Sequence, residues 1–213
     1  MKRIICILAG GRSKRFGSSK LAVRIADRPL ISHLNHRLSG AFRSGNEWWL
    51  SLAPGQSPPP GSGCCQRWVY DPVSFGGPLP AMEATLNAAQ QLPGAQPSDV
   101  VVFVAADMPA VTSDYLRTLL RELRLNRELA GVMGWAGEQV EPLPSVWRAG
   151  PGLKLVRRAM ASGIRSPHRL LRYEKVSTVS VKSNSTLFLN VNRVSDMELV
   201  KSTLGDCSHR ATR

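Results

Sequence analysis

Ile4-Ile5-Cys6-Ile7-Leu8-Ala9-Gly10-Gly11-Arg12-Ser13-Lys14-Arg15-Phe16-Gly17-Ser18-Ser19-Lys20 decides how the rest of this chain is read. A short apolar run bounded by glycines is the pattern of a strand covered on both faces. It stops at Gly10-Gly11, where a main chain without Cβ atoms can come close to a ligand. Successive N–H groups in such a loop form a nest for phosphate. Arg12, Lys14, Arg15 and Lys20 bring four positive charges to it. Arginine grips phosphate oxygens as a fork, and lysine acts as a mobile point charge. The spacing is neither G-x-x-x-x-G-K-[ST] nor G-x-G-x-x-G, which excludes an ATPase phosphate loop and a dinucleotide fingerprint. The bland alternative is a tight turn with basic residues on its surface.

The same logic extends outward. Val100-Val101-Val102-Phe103-Val104-Ala105-Ala106 is an unbroken apolar run ending at Asp107, the pattern of a second buried parallel strand. Residues 48–52, 68–70, 130–135, 176–181 and 186–191 supply further strand candidates. Helical spacing predicts helices over 29–38, with Pro at the entry, and over 79–92 and 152–160. Ser113 is placed to cap a helix whose Leu116, Leu119, Leu120 and Leu123 form one stripe. Ser195-Asp196-Met197-Glu198 has capping-box spacing and opens a terminal helix. Strands alternating with helices predict a three-layer α/β sandwich with a mostly parallel, Rossmann-like sheet and ligands at the strands' carboxyl ends. One domain spans 1–204. Within it, 54–63 reads as an insertion with four prolines and three glycines; after it, 205–213 reads as a flexible tail.

The 213 residues are 43% hydrophobic and 20% charged, which suits a soluble globular protein. No apolar run approaches the roughly 18–20 residues of a membrane span. The basic start Met1-Lys2-Arg3 is followed by an apolar run that breaks at Gly10, which reads as a strand and not as an export signal; the expected location is the cytoplasm. The adjacent Cys64-Cys65 lacks zinc spacing, so neither a structural metal nor a disulfide framework is expected. The net charge is +13, with eleven Arg/Lys against four acids between Arg117 and Arg172. Such a field attracts anions: a nucleotide, a phosphorylated small molecule on a carrier, or nucleic acid. No helix-turn-helix, zinc-finger or aromatic-basic RNA pattern is present, so no specific nucleic acid is expected.

Three acidic or amide positions stand out. Asp107 ends the best strand and faces the crevice where the glycine loop opens. A carboxylate there is placed to hold Mg²⁺, a hard cation that bridges to phosphates; the alternative is a helix-capping Asp. Asp71 follows a short strand and precedes Gly76-Gly77-Pro78, and by itself reads as a loop Asp making a local turn bond. Asn190 and Asn192, two apart on a strand, share a face and can orient phosphates or metal-bound water. As readily, they prepare the turn before Ser195.

Leu8 to Lys20 resembles the signature L-A-G-G-x-S-x-R-M-G-x-D-K of nucleotidyltransferases with the nucleotide-diphospho-sugar transferase fold. Within that group it is most similar to molybdenum cofactor guanylyltransferases. The likeness continues through Asp71, Gly77-Pro78-Leu79, Ala106-Asp107-Met108-Pro109, Glu141-Pro142-Leu143 and Phe188-Leu189-Asn190-Val191-Asn192, nearly the whole chain. The chain departs from it with Phe16 for Met, Ser19 for the Asp before the lysine, and Pro80-Ala81 for Ala-Gly. Its Pro-rich insertion is also longer.

The resemblance implies a Mg²⁺-dependent enzyme joining GTP to molybdopterin with release of pyrophosphate. It implies nucleotide contacts from Leu8, Ala9, Gly10, Gly11, Ser13, Lys20, Asp71, Gly77, Pro78, Leu79 and Asp107. It gives catalytic roles to Arg15, Lys20 and Asp107, with the metal on Asp107. Glu141, Pro142, Arg148, Asn190 and Asn192 become candidates for the cofactor or its phosphate. The basic helix with Lys154, Arg157 and Arg158 either helps receive that phosphate or is a solvated face. Gly10 and Gly77-Pro78-Leu79 favour guanine, because related cytidylyltransferases of the same pathway carry L-A-A-G at the first loop. Implied partners are molybdenum cofactor biosynthesis proteins or acceptor molybdoenzymes. The rival readings are cytidylyl transfer to the same cofactor, transfer to a phosphosugar, and a non-catalytic nucleotide- or RNA-binding protein.

Overall fold

The structure is a computed structural model describing residues 1–10, 24–25, 28–40, 46–73, 76–181, 186–191, 196 and 198–200. In chain order the elements are β1 (Arg3–Leu8), β2 (Arg24–Ile25), β3 (Arg28–Pro29), α1 (Leu30–Ser39), β4 (Glu47–Leu52), β5 (Arg67–Tyr70), α2 (Pro78–Gln90), β6 (Val100–Ala105), α3 (Ser113–Leu125), β7 (Gly131–Ala136), β8 (Gln139–Arg148), α4 (Ala149–Ala161) and β9 (Val176–Val181). Seven strands form one sheet in the order β5-β4-β1-β6-β8-β7-β9, and β2 and β3 form a separate small ladder. β8 runs antiparallel to both of its neighbours; every other pair in the large sheet is parallel.

Alternation along the strands builds the three layers. From β1 and β6, Ile5, Ile7, Val102 and Val104 enter one core with Ile31, Leu34 and Leu38 of α1 and Leu116 and Leu119 of α3. Ile4, Cys6, Val101 and Phe103 point the other way, into a second core with Met82 and Leu86 of α2 and Leu153 and Val156 of α4. The helices thus cover both faces, which is why β1 and β6 are apolar throughout.

Three sequence expectations are corrected here. β8 was missed because Pro142 and Pro144 interrupt it; the pairing tolerates them through a register shift between Val132 and Gly134. Thr186–Val191 is not a strand: Thr186–Phe188 form a 3-10 turn, and the Val191 N–H bonds to the Asp107 carbonyl at 2.8 Å instead of to a strand. Asn190 therefore does not sit on a strand face. The cap of α3 is Thr112, whose Oγ1 accepts from the Tyr115 N–H, while Ser113 Oγ donates to the Arg37 carbonyl. The expected Ser195 cap lies outside the described residues. Residues 54–63 form a loop that ends in a 3-10 turn over Ser62–Cys64.

Candidate active site

The carboxyl edge of the sheet collects the end of β1, the turn after β4, Asp71 after β5 and Asp107 after β6. The Ala9 N–H donates to the Ser51 carbonyl at 2.8 Å, and the Ala106 N–H to the Leu8 carbonyl at 3.0 Å, so pairing on both sides of β1 continues to its very end. Gln56, in the Pro-rich loop, reaches back. Its Nε2 donates to the Ala9 carbonyl at 3.3 Å and its Oε1 accepts from the Ala53 N–H at 3.0 Å. The loop entry at Ala9-Gly10 is thereby held from the β4 side.

Asp71 is 9% exposed. Its N–H bonds to the Leu52 carbonyl at 2.8 Å, and its Oδ1 accepts from Ser51 Oγ at 2.7 Å. Its Oδ2 lies over Gly10, where a Cβ would come within 2.8 Å of it and within 3.1 Å of the Ala53 backbone nitrogen. The bare glycine is thus a steric requirement of the Asp71 carboxylate. Burial pushes the Asp71 carboxyl above its ordinary range, and the Ser51 hydrogen bond opposes part of that rise. Asp71 is therefore more than a turn-making loop residue. Sequence reasoning missed Ser51 and Gln56; a buried serine between Leu50 and Leu52 was the available signal.

Gly77 has φ +80 and is the N-cap of α2, with no side-chain cap and with Pro78 at the first turn. Pro78 and Pro80 remove two of the helix's orphan N–H groups. That leaves a helix entry with backbone edge groups but a weakened phosphate nest. Leu79 is fully buried in the core beneath this entry.

Asp107 is half-buried at the end of β6. The Val191 N–H ties residues 188–191 to it, and exposed Asn190 donates its Nδ2 back to the Phe188 carbonyl at 3.1 Å. Because β8 is antiparallel, its first half enters at this same edge: Glu141 faces Gly134 of β7, with Pro142 next in line. Burial raises the Glu141 carboxyl, and Tyr115 of α3 is raised by burial and then by the Glu141 charge. Tyr115 also meets Phe188 edge-on, with centroids 5.5 Å apart.

Other expected site residues fall elsewhere. Arg148 pairs with Val100 at the opposite, amino edge, and its guanidinium donates to the carbonyls of Leu123 at 2.6 Å and Leu129 at 3.1 Å. It is a structural clamp for the α3–β7 connection and not a cofactor or phosphate ligand of this edge. Arg157 bonds Glu83 and Asn87 of α2. Lys154 and Arg158 line a cleft with Pro97, Ala130 and Lys175, residues of the amino edge. Gly11, Ser13, Arg15, Lys20 and Asn192 lie outside the described residues. Among the described residues no group of three or more His, Cys, Asp or Glu could hold a metal by itself. No described helix is long and apolar enough to cross a membrane.

Residues 5–178 match the model of the MobA-like NTP transferase domain family. The chain is 31% identical over 194 residues to a probable molybdenum cofactor guanylyltransferase of Deinococcus radiodurans, covering 90% of each. It is 24% identical over 206 residues to the corresponding protein of Pyrococcus horikoshii, covering 94% of this chain and 100% of the other. Among solved structures, the fold is similar to molybdopterin-guanine dinucleotide biosynthesis protein A of Archaeoglobus fulgidus (TM-score 0.66, 18% identity, 95% of this chain and 99% of that one). It is also similar to 2-C-methyl-D-erythritol 4-phosphate cytidylyltransferase of Francisella tularensis (TM-score 0.69, 9% identity, 95% and 100%).

Proposed function

The chain belongs to the MobA-like NTP transferase domain family and is a nucleotidyltransferase, and from that premise we propose that it joins GTP to molybdopterin and releases pyrophosphate. The observation that carries the choice of base is the contact between Asp71 and position 10. An alanine there, as in the cytidylyltransferases' L-A-A-G, would collide with Asp71 Oδ2 at 2.8 Å. Gly77, at positive φ ahead of two prolines, leaves backbone edge groups suited to a base more than to a phosphate.

The reaction is an in-line displacement. A terminal phosphate oxygen of molybdopterin forms a bond to the α-phosphorus of GTP, and the bond from that phosphorus to the bridging oxygen of the β-phosphate breaks. Pyrophosphate leaves with the electron pair. The nucleophile is already anionic, so no general base is required; positioning and charge stabilisation supply the rate. Arg15, Lys20 and the loop N–H groups take charge on the departing pyrophosphate. Glu141, Pro142 and Asn190 border the acceptor side. Mg²⁺ is bound in such sites through one or two carboxylates plus substrate phosphates. A half-buried Asp107 at the end of β6 fits that mode without an all-protein cage. When bound on Asp107, the metal neutralises charge on the nucleotide's phosphates.

The test is pyrophosphate release with molybdopterin and each of GTP, CTP, ATP and UTP. The expected outcome is turnover with GTP. Preference for CTP would replace the guanylyl assignment, and turnover only with a sugar phosphate would replace the acceptor. Asp107→Ala is expected to lose Mg²⁺-dependent activity; full activity at the same Mg²⁺ concentration would remove Asp107 from the metal site.

A further inference from the structure

The charge concentrated in the second half of the chain gathers at the edge of the sheet opposite the candidate active site. Arg3 pairs with Val100, and Val100 with Arg148, at one end of β1, β6 and β8. Gly131 and Val176 start β7 and β9 beside Trp147 at that same end, with Ala130 N–H bonded to the Lys175 carbonyl at 2.7 Å. Six residues of strand, at about 3.3 Å each, separate this edge from Gly10 and Asp107.

Two clefts open here and meet at Pro97 and Pro151, which line both. One, of about 940 Å³, is rimmed by Lys154, Arg172 and Lys175; the other, of about 480 Å³, by Arg3, Arg124 and Arg127. Arg158 and Arg148 complete eight cations lining the two, against a single carboxylate, Glu174. Among the described residues none of Arg124, Arg127, Lys154, Arg172 and Lys175 makes an ion pair. The floor is apolar: exposed Pro97 and half-buried Pro151 join the two clefts, over the already buried Ala130 and Leu155 of the larger and Leu123 of the smaller.

We infer that this face is a docking surface for an acidic protein segment in which carboxylates alternate with apolar side chains. The eight-to-one charge ratio sets the sign of the partner. The apolar floor between the cations gives the partner's hydrophobic side chains a place to bury, which a phosphate backbone would leave empty. Single-stranded nucleic acid needs open aromatic faces for stacking. The aromatic ring on this rim, Tyr173, has its face covered by the Arg158 guanidinium at 5.6 Å from the centroid. Docking here leaves the nucleotide edge open, so a partner can stay bound while the transferase turns over.

The probe is a fluorescein-labelled peptide of interspersed Glu and Leu, titrated into the whole protein by fluorescence anisotropy. A Glu/Ser peptide of equal charge and poly(U) serve as competitors. The Glu/Leu peptide is expected to bind more tightly than the Glu/Ser peptide and to weaken steeply as salt shortens the Debye length. The triple variant Lys154→Glu/Arg172→Glu/Lys175→Glu alters exposed side chains and is expected to lower affinity about tenfold or more. Its circular dichroism and pyrophosphate release are expected to match the parent. Absence of peptide binding at low salt, equal affinity in the triple variant, or equal binding of the Glu/Ser peptide would overturn the inference. Tighter binding of poly(U) than of either peptide would assign the face to nucleic acid instead.

Discussion

Replacing Ser51 by alanine tests whether Asp71 is held as a buried charge beside Gly10. Ser51 Oγ is the one side-chain donor to Asp71 Oδ1 among the described residues, at 2.7 Å, and both residues are buried. A hydrogen bond to a charged group contributes about 1.5–3 kcal/mol and a neutral one about 1 kcal/mol. Ser51→Ala is therefore expected to destabilise the fold by about 1.5–3 kcal/mol where Asp71 is ionised and by about 1 kcal/mol where it is protonated. The sign of the pH dependence follows from burial, which raises the folded carboxyl above its unfolded value. Between those two values the native state holds more protons than the unfolded chain, so the Asp71 contribution to stability falls as pH rises through that window. Ser51→Ala removes the bond that opposes the rise and extends the window upward. Asp71→Asn keeps an acceptor for Ser51 and removes the charge; above the window its stability is expected to equal or exceed the parent's. Urea unfolding of the parent, both single variants and the double variant, from below the ordinary carboxylate range, about pH 3, to about pH 8, reads all of this. A Ser51→Ala penalty that is the same at both ends, or below about 0.5 kcal/mol at the upper end, would refute the reasoning.

Further outcomes are expected at three places in the fold. Gly134→Ala drives a Cβ into Tyr115 Oη and to 3.0 Å from Phe188 Cζ, an overpacking cost of about 1–3 kcal/mol in thermal melts. Tyr115→Phe removes a buried hydroxyl that has no hydrogen-bond partner among the described residues, so it should be neutral or stabilising alone and should partly rescue Gly134→Ala; no rescue would place the clash elsewhere. Gly10→Ala should weaken nucleotide binding by at least about 1.4 kcal/mol, a factor of about ten by calorimetry, and an unchanged affinity would detach Gly10 from the nucleotide. Iodoacetamide should label the Cys64-Cys65 pair with a midpoint below the ordinary thiol range, because the two sulfurs are 3.9 Å apart and one thiol hydrogen-bonds the other's thiolate. Cys65→Ala should return that midpoint to the ordinary thiol range, while Cys6, pushed up to about 12 by burial, stays unlabelled; an unmoved midpoint would dismiss the Cys65 bond.

The parallel half of the fold was legible because β1 and β6 are buried on two faces, and such strands show as unbroken apolar runs ending at Gly10 and Asp107. The antiparallel strand was not legible: Glu141-Pro142-Leu143-Pro144 breaks both the alternation and the hydrogen-bonding rule, and only the β7 register shift accommodates it. Leu187-Phe188-Leu189 is a short unbroken apolar run that passes for a strand, but it lies in and after a 3-10 turn that sets Phe188 edge-on against Tyr115. In the site, Asp107 could be placed from its position after a strand. The Asp71–Ser51–Gly10 contact could not, because it joins three segments whose adjacency depends on the β5-β4-β1 strand order. Arg148 was misplaced for the same reason: reversing β8 sends its two ends to opposite edges of the molecule.

That reversed strand divides the labour of the fold. The first 107 residues supply the Gly10, Asp71 and Asp107 side of the crevice through parallel strands, whereas Glu141 and Pro142 are delivered by a hairpin turning at Gly137, φ +60. A hairpin tip can lengthen, shorten or change composition without disturbing the register of β1, β4 or β6. A change in the tip at residues 134–142 would therefore alter the Glu141–Pro142 side of the crevice and leave the Gly10, Asp71 and Asp107 side as it is.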